Sequence, residues 1–300
     1  MAHLSDTFIK EYLNNAKYVY KSCGGTWIVI LEILEDTITN LSRKISDTGN
    51  EKCAKYRADK LKVVLIFNKF DPTQTIEKIK NSCCVTQKLT YETGEIVFSD
   101  SFNHDLEVVC SNGIHFFTSI EPAFHYELAK PTTMYTGDHI KYFHDGSVNI
   151  KANYVQGKLH GKYLTYFRDG SVNTETNYVD GKLDGHYIKY YDDGNAIEKT
   201  MKVETDYVNG ELHGNYDEWH EDGTINIETT YVRGIEHGHY IEHYSDGPIF
   251  LEFDMVNGEI HGNYYEYYED GTMSIECEYV NGLLHGLHVG YFTNGKKYLE

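Results

Sequence analysis

The groups in this 300-residue chain that could do chemistry are its histidines, its cysteines and several regular columns of carboxylates and rings. Five histidines, His160, His213, His237, His261 and His285, each precede a glycine of one repeating series, with Asp184 in the remaining place. A zinc site would need donor atoms about 2.0–2.1 Å from one ion. Equivalent residues of stacked hairpins lie two strands apart, roughly 9–10 Å. One ion cannot bridge that gap, so the column reads as turn-forming polar residues and no metal is expected. His239 or His243 beside His237 does not change this. Cys110, with His104, His115 and His125, offers a Cys–His nucleophile pair. Yet those segments also read as strands with ordinary buried side chains, and no third orienting group is identifiable. No glycine-rich phosphate loop, H-E-x-x-H or G-x-S-x-G occurs. No catalytic residue and no cofactor is expected, and the chain is not expected to be an enzyme.

The carboxylates are the groups with a use. Glu175, Glu204, Glu228, Glu252 and Glu276 form one column, and Tyr163, Tyr187, Tyr216, Tyr240 and Tyr264 are expected beside them on one polar face. A second aromatic column is Phe167, Tyr191, His220, Tyr244 and Tyr268. Glutamates about 10 Å apart repel by only roughly 0.4 kcal/mol in water, so the column by itself demands no ligand. Two readings stand. Stacked rings stiffen a sheet that no second layer covers; or rings and carboxylates together bind something basic. On the second reading the partner-binding residues are Glu228, Glu252, Glu276, Tyr216, Tyr240 and Tyr264.

Charge favours the second. Residues 1–130 hold 15 Lys+Arg against 17 Asp+Glu, residues 131–202 hold 9 against 9, and residues 203–300 hold 3 against 20. The last third thus carries −17 of the chain's −19. Such a surface repels phosphate backbones and anionic lipids, so nucleic acid is excluded as a partner and membrane association is disfavoured. The six cysteines make no C-x-x-C, and the opening MAHLSDTFIKEYL lacks a secretory apolar run. A reducing interior with free thiols is expected. The most apolar stretch, Trp27 to Leu34, contains Glu32 and is too short to span a bilayer. A soluble, intracellular protein follows.

The elements that position these columns repeat. Asp-Gly falls at Asp145-Gly146, Asp169-Gly170, Asp193-Gly194, Asp222-Gly223, Asp246-Gly247 and Asp270-Gly271, and Asn294-Gly295 closes the series. The spacing is 24 residues except for one interval of 29, which places a five-residue insert near 198–202. Two further glycine series, Gly137 to Gly286 and Gly157 to Gly282, keep the same intervals. Each unit reads as two short strands with a turn after each, because period-two alternation bounded by glycine is a hairpin signal. The alternation Val172, Thr174, Thr176, Tyr178 against Asn173, Glu175, Asn177 selects a three-residue loop with Gly170 left-handed, which groups Tyr166 and Leu164 with Val172.

Units such as YVNGELHGNYDEWHEDGTINIE at 207–228 resemble the MORN-repeat variant, with its Y-x-x-G-x-x-x-G-x-Y-x-x-Y-x-x-x-G skeleton. The resemblance covers about 134–300. It implies a mainly β fold: an elongated single-layer antiparallel sheet of about seven stacked hairpins over 131–300. Thr133 stands where the first unit's leading glycine turn would fall, and the last unit ends in a short tail.

Residues 1–130 lack the repeat and read as a small α+β domain. Ser5 is expected to cap a helix carrying Phe8, Tyr12, Ala16 and Tyr20. Strands are expected at 26–34, 61–67, 89–98 and 113–118, with a hairpin turn at Thr93-Gly94 and a short helix from Ser119. Pro122 is tolerated in that helix's first turn. Lys130–Thr133 is the expected join. The pieces KCAKYRADKLKVVLIF, YETGEIV and VCSNGIHFFTSIEPAFHY are similar to the leading domain of MORN-variant proteins in amoeba-infecting giant DNA viruses, which implies a host cytoplasm or virion setting but no activity. The whole reads as a non-enzymatic interaction or scaffold protein that binds a basic protein segment. The alternatives are an N-terminal enzyme with the array as targeting arm, and a membrane-associated MORN protein.

Overall fold

The run from Trp27 to Leu31 is apolar at every position because its strand is covered on both faces. In the computed structural model, which describes residues 9–13, 15–81, 88–128, 134–192 and 199–299, the chain divides into two units, Met1–Lys158 and Leu159–Glu300. The first unit holds strands β1 (Tyr18–Cys23), β2 (Trp27–Glu32), β3 (Lys55–Ala58), β4 (Lys60–Asn68), β5 (Lys78–Lys80), β6 (Thr90–Glu92), β7 (Ile96–Phe98) and β8 (Ile114–Phe117), and helix α1 (Ile120–His125). Six of the strands form one sheet in the order β3-β8-β1-β2-β4-β7. Val29 and Leu31 pack with Val19, Leu61, Val63 and Phe116 on one side. Ile28 and Ile30 pack with Tyr20, Phe67, Phe117 and the α1 residues Ile120, Ala123 and Phe124 on the other. A helix over one face leaves no polar side to β2, so the strand does not alternate.

The expected strands at 26–34, 61–67, 89–98 and 113–118 are β2, β4, β6 with β7, and β8. Gly94 turns at φ 92° between β6 and β7, but the expected hairpin at Thr93-Gly94 is corrected: β6 pairs with β5 and β7 with β4, in different sheets, while α1 follows Ser119 as expected. The N-terminal helix is corrected. Ser5 and Phe8 lie outside the described residues, the coil stops at a five-residue π turn, Ile9–Leu13, and Tyr20 sits in β1. Gly24 and Gly25, at φ 63° and 76°, fold β1 back on β2 with Val19 opposite Leu31 and Tyr20 opposite Ile30. Burial of both pairs outweighs a helix exposing one side of the same residues. Arg57 is a second surprise. It is fully buried, and its guanidinium donates to the carbonyls of Asn103 (3.0 Å from Nη2), Asp105 and Val108, tying the 103–109 segment to β3.

The expected join at Lys130–Thr133, with Thr133 itself, lies outside the described residues. The division falls at Lys158, so the first repeat hairpin, β9 (Gly137–Tyr142) with β10 (Val148–Val155), is described with the first unit. It is anchored there: Asn50 N–H donates to Asp145 O at 3.0 Å, Lys55 N–H to His144 O at 3.1 Å, and Arg43 Nη2 to His144 O at 2.6 Å.

The second unit is a run of antiparallel hairpins. Its strands are β11 (Lys158–Tyr166), β12 (Val172–Val179), β13 (Lys182–Tyr190), β14 (Met201–Val208), β15 (Glu211–Trp219), β16 (Ile225–Val232), β17 (Ile235–Glu236), β18 (Gly238–His243), β19 (Ile249–Val256), β20 (Glu259–Tyr267), β21 (Met273–Val280), β22 (Leu283–Tyr291) and β23 (Lys297–Leu299). Strands adjacent in sequence pair in space, with β17 and β18 both on β16. The fold is mainly β, as expected. The three-residue loop is also as expected: Gly170 N–H donates to Phe167 O, Phe167 N–H to Ser171 O, and Gly170, Gly223 and Gly271 have φ of 87°, 87° and 78°.

The faces are not as expected. Tyr166 opposes Val172, but the next pair inward is Thr165 with Thr174, leaving Asn173 as an extra residue. The same one-residue shift recurs at Lys202, Asn226, Phe250, Ser274 and Tyr298. Beyond each bulge the alternation changes hands. Val172 and Leu164 therefore share a face with Glu175, whereas Tyr163 shares the other with Thr176 and Tyr178.

That second face is the array's core. Thr176, Thr205 and Thr229 are 1%, 3% and 4% exposed although no second layer covers them. Rings cover them instead. Tyr163 packs edge-on to Tyr178 at 5.3 Å, Tyr187 to Tyr207 at 5.6 Å and Tyr216 to Tyr231 at 5.7 Å. Each such pair contributes roughly 0.5–1.5 kcal/mol beyond its area.

The insert is placed differently too. Tyr191 N–H donates to Thr200 O at 3.0 Å, the bond that Phe167 makes to Ser171, and Met201 opposes Tyr190 as Val172 opposes Tyr166. Met201 and Lys202 are strand residues, so the five extra residues fall in sequence between Tyr191 and Thr200, where 193–198 lie outside the described residues. Deleting Asn195–Lys199 leaves Asp192-Asp193-Gly194 as a three-residue loop, and unfolding should stay cooperative with little change in midpoint. Deleting Glu198–Lys202 removes the Thr200 acceptor, the ladder residue Met201 and the bulge residue Lys202, and should lower the midpoint sharply. Denaturant titration of both deletions, if it ranked them the other way, would refute the placement.

Candidate interaction surface

The histidine column serves the turns. Asn209, Arg233, Asn257 and Asn281 hold positive φ of 50° to 55° before the third glycine series. His213 Nδ1 accepts from Arg233 N–H at 3.5 Å, His237 from Asn257 and His261 from Asn281 at 3.4 Å, and Asp184 Oδ2 accepts from Asn209 N–H at 3.0 Å. Three of the histidines thus cap the next hairpin's turn, Asp184 does the same work before Gly185, and Thr136, before Gly137, accepts from Gln156 N–H at 2.9 Å; His160 Nδ1 makes no such bond. Among the described residues no group of three or more His, Cys, Asp or Glu could hold a metal ion.

The second aromatic column is likewise structural. Tyr191, Tyr244 and Tyr268 donate from their hydroxyls to the carbonyls of Trp219, Tyr267 and Tyr291, each at 2.8 Å, strapping a hairpin to the one after it.

The six expected partner-binding residues do not share a face. Tyr216, Tyr240 and Tyr264 oppose Thr229, Phe253 and Cys277, on the core side. Burial pushes the Tyr240 and Tyr264 phenols up to about 12 and raises that of Tyr216 as well. Glu228, Glu252 and Glu276 oppose Asp217, Ile241 and Tyr265 on the opposite face. The rings that accompany the glutamates belong to a third column, Tyr190, Trp219, Tyr267 and Tyr291. Tyr267 donates to Glu252 at 2.7 Å and Tyr291 to Glu276 at 3.1 Å.

The glutamates differ in the side chains they meet. Lys162 Nζ sits 2.6 Å from Glu175. His186 lies 2.9 Å from Glu204 and 3.1 Å from Asp206, and His239 lies 3.4 Å from Glu252 and 3.0 Å from Asp254. The corresponding positions beside Glu228 and Glu276 are Asn215 and Asn263. At Glu228 the deficit is greatest. Asp217 replaces the Leu164 or Ile188 of other repeats and pairs directly with Glu204 on β14 and Glu228 on β16. Burial, then Glu228, then Glu204 push the Asp217 carboxyl above the usual carboxylate range. Sequence reasoning passed over Asp217, although an acid in an otherwise apolar column is visible there.

In the first unit the candidate nucleophile does not assemble. His115 Nε2 lies 3.2 Å from the Val109 carbonyl, and burial pushes its pKa down to about 3. His125 Nδ1 accepts from Ile140 N–H at 3.4 Å, and burial with His139 nearby pushes it down to about 4. His104 packs against Phe102 at 5.2 Å. Cys110 Sγ meets none of these; it lies 3.5 Å from Nε2 of His144. Cys23, Cys53 and Cys277 are free and buried, and Cys110 is free and exposed.

Fold and surface together define a β-hairpin repeat protein whose N-terminal part holds a sheet of its own. Residues 159–180 and 260–281 each match the MORN repeat variant, so these two units are similar to MORN repeats, and residues 9–123 match a family of unknown function, DUF5758. Among curated proteins none matches the chain. No helix among the described residues is long and apolar enough to cross a membrane.

Proposed function

We propose that the protein is a non-enzymatic interaction protein whose array binds a basic protein segment on the face bearing Glu204, Asp217, Glu228, Glu252 and Glu276. The observation that carries this reading is the row Glu204–Asp217–Glu228, three carboxylates directly opposed across successive strands. Like charges directly opposite destabilise a sheet. An arginine or lysine laid over the row relieves that repulsion, and the flanking Trp219 ring supplies cation–π surface of the kind Tyr190 already gives Lys199, whose Nζ lies 5.3 Å over it. The charge of −17 over 203–300 steers such a segment in and turns nucleic acid and anionic membrane away. The resemblance read in the pieces at 52–67, 91–97 and 109–126 is the ground for proposing a setting in an infected amoebal cell.

The test is binding of an octa-arginine peptide to the full chain across a salt series. Asp217→Asn with Glu228→Gln should weaken binding about tenfold and flatten the salt dependence. Glu221→Gln with Glu269→Gln removes the same charge from the turns and should weaken it far less. Tyr216→Phe with Tyr264→Phe, on the core face, should leave it unchanged. Equal losses from both charge pairs would reduce the effect to net charge and sink the proposed face.

A further inference from the structure

The first unit contains a cavity of about 400 Å³, within the range of small-molecule sites. It is walled by the end of β8, helix α1 and its tail, and strand β9, with Phe117, Tyr126 and Phe143 among its apolar lining. Two features distinguish it from a packing defect. His139, which lines it, is only 7% exposed, and its Nδ1 is buried with no hydrogen-bond partner among the described residues. A buried polar atom left unpaired is costly, so its persistence points to a partner supplied from outside the chain. The second feature is cationic. Lys55 and Lys141 both line the cavity, and neither forms an ion pair among the described residues. Lys55 Nζ lies 5.3 Å over the Tyr126 ring and 3.5 Å from its hydroxyl, which holds the ammonium at the wall without neutralising it. Glu127 is the single carboxylate in the lining. His125 and His139 are held neutral by burial, so the polar interior adds hydrogen-bonding atoms rather than charge.

We propose that this cavity binds a small aromatic carboxylate, its ring between Phe117 and Phe143, its carboxylate on Lys55, and a polar atom on His139. The wall favours a flat apolar body, the Lys55 ammonium held at the wall favours an anion while Lys141 is exposed to solvent, and the volume excludes a macromolecular segment of more than a side chain or two. Nothing in this reading depends on the acidic face of the array.

The test is calorimetric titration of the full chain with 2-naphthoate, using uncharged 2-naphthalenemethanol as the matched control. One site per chain is expected, with the carboxylate binding at least tenfold tighter than the alcohol. Lys55→Met should remove that preference while leaving the alcohol's affinity unchanged, and Phe143→Ala should weaken both. His139→Asn, which keeps a polar atom, should retain more affinity than His139→Leu at equal stability. Absence of saturable binding at millimolar 2-naphthoate, or a Lys55→Met chain that still prefers the acid, would overturn the proposal.

Discussion

Replacing Gly146 by alanine is expected to unfold the first unit, while the same change at Gly170 should cost little. Both glycines occupy the same position of the same three-residue loop, at φ 86° and 87°. Each substitution incurs the left-handed strain of a residue with a Cβ, roughly 1–2 kcal/mol. At Gly170 there is nothing within 4 Å of the added carbon, so that strain is the whole effect. At Gly146 the carbon falls on the Asn50 carbonyl oxygen and 2.6 Å from the Ala54 nitrogen. Backbone cannot rotate aside as a side chain can. The 50–54 loop must move, and the Asn50–Asp145 and Lys55–His144 hydrogen bonds go with it. A loss of more than about 4 kcal/mol is expected, since buried steric overlap adds to the strain. Trp27 lies in the first unit and Trp219 in the second, so Trp219→Phe and Trp27→Phe backgrounds report each unit's denaturation separately. Equal midpoints for the two alanine variants would show that the hairpin is not anchored as described.

Acid is expected to destabilise the first unit well before the array. His115, His125 and His139 have pKa values pushed down to about 3, 4 and 4 from an ordinary 6.5, each chiefly by burial. Below pH 6.5 the unfolded chain takes up these protons and the folded unit does not. Stability is therefore complete above about pH 6.5 and falls as the pH drops towards 4. By pH 4.5 each histidine contributes a loss of roughly 2 kcal/mol, less where two of them interact. The array behaves differently, because Asp217 is easier to protonate in the folded state and relief of the −17 charge favours compaction. Thermal melts of the Trp219→Phe chain should show the first unit's midpoint falling steeply from pH 7 to 4.5, and His115→Gln should shallow that slope. A first-unit midpoint insensitive to pH over this range would mean these histidines are not buried in their neutral form.

The sequence determined the parts of this protein that depend on one residue or on neighbours in the chain. Three glycine series set the hairpins and their number, and Gly170 set the loop type, because only glycine adopts φ near 87° without strain. The apolar run at 27–31 announced a buried strand, and the acid count over 203–300 announced the charged third. Only the tertiary structure decided which side chains meet. One extra residue per hairpin, Asn173 and its counterparts, carries Glu228 to the face opposite Tyr216. Alternation along a strand cannot reveal it, since a bulge is defined by what stands across the ladder. The same holds for Tyr20, whose helical spacing yielded to pairing with Ile30. His139, likewise, owes its position in the cavity to β9 and α1 coming together, and no local pattern in the chain encodes that meeting. Register and burial are properties of pairs distant in sequence, and the free energy of those pairs overrides the local preference of either member.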